Sequence, residues 1–96
     1  MRVVVRPDAQ AEISAARDWY EERRAALGDD FIGELNAVIA RIAERPTLYP
    51  RVRGEVRRAV LRRFPYAAYF RVLGDEIIVL AVVHGHRHPR VWRSRR

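Results

Sequence analysis

The sequence predicts an α+β fold of two layers in the order β-α-α-β-β-β, a helical hairpin packed on one face of a four-stranded antiparallel sheet. Three observations carry this. The stretch from Arg57 to Pro89 holds nearly all the strand signal, in consecutive runs separated by turn residues. The segment from Ala9 to Leu27 lacks Gly and Pro and is rich in helix formers. Phe31, Leu35, Val38, Ile39 and Ile42 then recur at i, i+4, i+7, i+8 and i+11, the stripe of an amphipathic helix.

Taken in order, Arg2 to Val5 reads as a short first strand, three β-branched residues in a row. Pro7 stops strand pairing and suits the first turn of a helix, where Asp8 favours the N-terminus as a cap or by charge. Ala9, Ile13, Ala16, Tyr20 and Leu27 share one helical face, and Gly28 is expected to close this helix at C′. Asp29 or Asp30 is expected to cap the second helix, which Pro46 and Pro50, around Thr47-Leu48-Tyr49, bring to an end.

The strand runs follow. Val56 to Phe64 ends at Pro65, which removes a donor and biases Phe64 toward extended geometry. Tyr66 to Leu73 is aromatic and β-branched, Gly74-Asp75 reads as a type II′ turn, and Glu76 to His84 contains IIVLAVV. The first strand is expected to pair antiparallel with the run at 56–64. Alternation places Ile78, Leu80 and Val82 on one face of the last strand and Ile77, Val79, Ala81 and Val83 on the other. A single helical hairpin covers one face, so the other calls for a cover, either the C-terminal tail with Trp92 or a bound partner. Around Ala59 either phase mixes Arg with apolar residues, and periodicity does not orient that strand.

At 96 residues the chain is expected to form one domain, 1–96, with the basic end 93–96 disordered. Cysteine is absent, which excludes a disulfide framework and a thiolate site. The start, MRVVVRP, turns polar after its valines and does not read as a secretory signal. The longest apolar run, Ile77 to Val83, falls far short of the about 20 residues a membrane span needs. A soluble cytoplasmic protein with no membrane partner is the expectation. The net charge of +7 rests on arginine alone, since lysine is absent. Guanidinium groups suit bidentate contact with carboxylate or phosphate, so an anionic partner is expected, nucleic acid or an acidic protein segment.

Few residues carry chemistry. His84, His86 and His88 alternate as some metal ligands do, but Gly85 and Pro89 interrupt a strand there, and Arg87 and Arg90 oppose a cation. No metal and no cofactor is expected. Arg71 interrupts an apolar strand between Phe70 and Val72. It reads either as an ordinary outward residue or as a fixed cation aimed at a phosphate or a partner's carboxylate. Arg57, Arg58, Arg62 and Arg63 form two pairs with one member on either face.

Phe64-Pro65-Tyr66, Arg71 inside the middle strand, and His84 followed by Arg87 and Pro89 carry a resemblance. FPYAAYFRV and GDEIIVLAVVHGHRHPRVW resemble the closing half of the RelE/ParE superfamily of bacterial type II toxins, and with the first half the likeness covers essentially the whole chain. The resemblance implies the same element order and a growth-inhibiting toxin of plasmid-stabilisation type. It also implies neutralisation by a small acidic antitoxin whose C-terminal segment wraps the toxin, and the arginine excess and open strand face suit such an acidic, amphipathic peptide laid across the sheet.

Two branches differ in action and leave open whether the chain is an enzyme. The ParE-like branch, which the chain resembles more, implies binding and inhibition of DNA gyrase. The other implies a ribosome-dependent mRNA interferase acting on the ribosome and messenger RNA. Cleavage there needs proton carriers and cations. The implied set is His84 and Tyr69 for the proton and Arg71 and Arg87 for the phosphorane charge. Cleaving members often use lysine, which this chain lacks. A third reading is a non-toxic, basic nucleic-acid-binding module.

Overall fold

The computed structural model describes residues 1–85. The elements are β1 (Arg2–Val5), α1 (Pro7–Arg23), α2 (Leu27–Glu44), a 3-10 turn (Pro46–Leu48), β2 (Arg51–Arg53), β3 (Val56–Val60), β4 (Tyr66–Leu73) and β5 (Glu76–His84). The class is α+β, with both helices on one face of the sheet. Strands β4 and β5 keep the limits their composition predicts, and Gly74 between them takes the positive φ, 61°, that the turn requires.

The sheet departs from expectation in strand count and in one pairing. It has five strands in the order β1-β5-β4-β3-β2, and β1 pairs parallel with β5, not antiparallel with the strand at 56–64. The extra strand explains the reversal. β2 forms a hairpin with β3 through Gly54, at φ 53°, so every later strand runs opposite to the direction a four-stranded count assigns. β2 also takes the outer edge of β3, while Val3 and Val5 find the apolar β5 beside them. The three residues RVR are too few for their alternation to mark a strand.

A bulge sets which side chains of β5 face the helices. Tyr69 pairs with Ala81 and Phe70 with Val79, leaving Leu80 as the extra residue. The alternation therefore shifts, and Ile77, Val79 and Val82 join the helix-side core instead of the grouping strict alternation predicts. Ala81 and Val83 join Ala67, Tyr69 and Val56 on the other face, where no described helix packs. In β3, Ala59 turns toward the helices and Val60 away, which settles the phase of that strand.

The helix-side core is centred on aromatic rings. Tyr20 of α1 meets Phe64 at 4.7 Å and Phe31 of α2 at 5.5 Å, and Phe31 reaches Tyr66 at 5.3 Å. Such pairs add about 0.5–1.5 kcal/mol each beyond the area they bury. The stripe Phe31, Leu35, Val38 and Ile42 is buried as its spacing predicts, with Ile39 packed at the margin. Arg57 donates from Nη1 to the Tyr49 carbonyl at 2.6 Å, tying β3 to the 3-10 turn. Glu34 of α2 accepts the backbone N–H groups of Arg62 and Arg63 and holds the bend before β4. The second arginine pair thus lies in a bend after β3 ends at Val60, not on a strand.

The helix connection corrects a second expectation. Gly28 is not the C′ residue of α1 but lies inside α2, and α1 ends four residues earlier than Leu27, at Arg23. Ala26 takes the left-handed conformation at φ 71° and is the N-cap residue of α2, so Asp29 and Asp30 fall in its first turn rather than at its cap. The Glu21 side chain accepts N–H bonds from Ala26 at 2.9 Å and Gly28 at 3.0 Å, which satisfies two amides at the helix start. Gly28 is needed for close approach: a Cβ there would lie 2.7 Å from the Arg17 carbonyl oxygen. Gly28→Ala should cost roughly 1–3 kcal/mol by forcing the helices apart. Ala26→Gly should be neutral or stabilise by up to about 1 kcal/mol, because it relieves the left-handed Ala. Chemical denaturation of the two variants checks both.

The same turn makes stability depend on pH. The Ala26 and Gly28 amides hold the Glu21 carboxyl below its ordinary value, with a smaller contribution from the Arg17 charge. A depressed carboxylate stabilises the fold above its unfolded pKa, and that contribution disappears as pH falls through the folded value. Glu21→Gln should therefore lower the melting temperature near pH 7. The gap from wild type should close as pH falls below roughly 4.3, the ordinary glutamate value.

Candidate functional site

The residues singled out for chemistry lie on two surfaces. Tyr69 and Arg71 alternate along β4 and share the face turned away from the helices, opposite Phe70 and Val72 of the core. The neighbouring strands add Arg58, cross-strand from Tyr69, and Ile78, cross-strand from Arg71. Arg53 of the edge hairpin pairs with Val56. Cations therefore flank the Tyr69 ring from two strands. The Arg71 Nε is buried and finds no hydrogen-bond partner among the described residues. An unpaired buried donor costs about 1–3 kcal/mol, a cost that a carboxylate or phosphate on this face would relieve.

His84 lies on the other side. The shift at Leu80 turns it toward the helices, where its ring meets Tyr66 at 5.7 Å. It borders a groove of about 680 Å³ between α1 and the end of β5. Glu12, Ala15, Ala16, Trp19 and Tyr20 form the helix wall, and Pro65, Tyr66, Val82 and Val83 complete the lining. Burial, and secondarily the neighbouring Tyr66, push the Tyr20 phenol above its ordinary pKa, so it stays neutral. The structure thus brings Tyr69 and Arg71 together and places His84 on the opposite face. Arg87, His86, His88 and the tail with Trp92 lie outside the described residues.

Sequence reasoning passed over the groove's most exposed aromatic residue. Trp19 is 48% exposed, edge-on to Tyr20 at 5.1 Å, with the Arg23 guanidinium 3.6 Å from its ring centroid. The signal was present: Trp19 stands off the stripe Ala9, Ile13, Ala16 and Tyr20, where a large aromatic side chain has no core to fill. Glu12 was equally silent, and its Oε1 accepts the Val82 backbone N–H at 3.0 Å. Among the described residues no group of three or more His, Cys, Asp or Glu side chains could hold a metal ion. No helix among them is long and apolar enough to cross a membrane.

The chain is thus a basic α+β sandwich whose candidate residues are spread over two faces of the sheet. Residues 3–89 match the family described as ParE toxin of type II toxin-antitoxin system, parDE, and the chain belongs to that family. In fold it is similar to a chain of the chromosomal ParDE TA system from P. aeruginosa. The TM-score is 0.67 at 22% identity, covering 88% of this chain and 95% of that one. No curated protein matches it.

The unpartnered Arg71 Nε makes a direct prediction. Arg71→Met keeps most of the stem packing and removes the buried donor, so the isolated protein should gain about 1–2 kcal/mol. The same variant should bind an anionic partner on this face more weakly. Denaturation of the free variant, alongside titration with a partner, measures both.

Proposed function

We propose that this chain is a growth-arresting toxin that acts by binding DNA gyrase and is neutralised by a cognate acidic antitoxin. Membership of the ParE family supports the toxin reading. One observation carries the choice of binding over catalysis: His84 and the pair Tyr69 and Arg71 occupy opposite faces of the sheet. A general base must lie within hydrogen-bond reach of the proton it removes, with cations around the same phosphate. Arginine stabilises such charge but does not accept a proton at neutral pH. A binding surface needs only contact area and charge, which the arginines of β2, β3 and β4 supply. An acidic antitoxin complements a chain of net charge +7.

Expression alone should arrest bacterial growth, and co-expression of a cognate small acidic antitoxin should restore it. His84→Gln separates the two mechanisms. Gyrase inhibition should survive it, measured as loss of supercoiling at matched protein level. Ribosome-dependent messenger RNA cleavage that falls about 10²–10⁴-fold in the same variant would overturn the binding reading.

A further inference from the structure

The face of the sheet turned away from the helices is closed at its centre and open at its corners. Tyr69 of β4 is 4% exposed there and Ile78 of β5 7%, and Ala67, Ala81 and Val83 are buried beside them. Val60 shares that face as the cross-strand neighbour of Ala67, yet it is 63% exposed. Leu73, in the same alternation as Tyr69 and Arg71, is 53% exposed. Strand geometry alone therefore leaves a large side chain on this face mostly bare, and the central stripe has something over it.

The described elements outside the sheet lie on its other face. Residues of both helices, Tyr49 after the 3-10 turn, and Leu61 and Phe64 of the bend all belong to or pack against the helix-side core. Ala67 and Ala81 are too small to cover the Tyr69 ring, and Arg58, cross-strand from it, is itself exposed. This burial exists within a single chain, so the cover is part of the chain.

The covered stripe begins where β5 ends. It runs from Val83 through Ala81 to Ile78, and the Nε of Arg71, cross-strand from Ile78, is buried at its far end. The Gly85 N–H bonds the Pro65 carbonyl at 2.8 Å, which holds the chain beside the start of β4 just before residue 86. At about 3.3 Å per residue the stripe is roughly 17 Å long. Residues 86–92 span at most about 25 Å, enough to turn and run its length. We propose that this segment, HRHPRVW, folds back over the face and closes it, with Val91 and Trp92 against Ile78 and Tyr69. Its basic side chains lay their stems on apolar surface and keep their charged ends in water. The assignment does not rest on the toxin reading. It adds that a partner engaging Tyr69 and Arg71 has to displace residues 86–92 first.

The full chain lends itself to the test because it has two tryptophans and no cysteine. In a Trp19→Phe background Trp92 alone reports fluorescence. In the free protein its emission should lie to the blue of the urea-unfolded chain, and acrylamide should quench it several-fold less. A nitroxide on Leu73→Cys, exposed at the rim of the face, should quench Trp92 at least about twofold. The same label on Glu22→Cys, exposed on α1 across the sheet, should leave the emission unchanged. Trp92→Ala should lower the melting temperature by at least about 4 °C. Acrylamide access equal to that of the unfolded chain, or stronger quenching from Glu22 than from Leu73, would overturn the assignment. An unchanged melting temperature in Trp92→Ala would overturn it as well and leave the face to a partner. Should Trp92→Ala fail to fold, the two labelled variants, which keep Trp92, still decide.

Discussion

A two-helix hairpin can bury only one face of a sheet, and β5 carries buried apolar residues on both. Ile77, Val79 and Val82 pack under the helices, while Ala81 and Val83 point the other way with Ala67 and Tyr69. Strands buried on both sides normally belong to sheets covered by helices on both sides. The rest of the architecture follows from supplying only one cover. The helices must be held tightly where they do pack, and the opposite face is left to contacts that no described helix provides. Glu21 and Gly28 meet the first demand by closing the helix connection to near contact.

Arginine is divided between holding the fold and leaving it charged. Arg57 is drawn to the Tyr49 carbonyl that follows the 3-10 turn, and the backbone of Arg62 and Arg63 is captured by Glu34. Arg53, Arg58 and Arg71 are associated with the face away from the helices through their strand partners. Guanidinium suits both uses because its planar fork can bond carbonyls or carboxylates while its stem packs on apolar surface. The surface that results is cationic.

The bulge at Leu80 has consequences beyond packing. Without it, strict alternation would place His84 on the same side as Ile78 and so with Arg71. The extra residue turns the strand's end over and directs His84 into the groove with Tyr66 and Trp19. One extra residue thus sets His84 on the face opposite Tyr69 and Arg71. It also leaves Val82 at an edge, where Glu12 takes its amide.

Much was legible in the sequence because its cause is local. The α2 stripe, the limits of β4 and β5 and the turn at Gly74 follow from helical spacing, β-branched runs and a residue that tolerates positive φ. Charge without lysine and the lack of cysteine need no coordinates. The parallel placement of β1, the strand Arg51–Arg53, the helix break before Leu27 and the facing of His84 were decided elsewhere in the molecule. Pairing depends on which edge is vacant, and a bulge depends on the register of two strands far apart in sequence. Gly28 shows the difference: its lack of a side chain was visible, but only the approach of Arg17 across the hairpin determined that the glycine serves close packing and that Ala26 carries the turn.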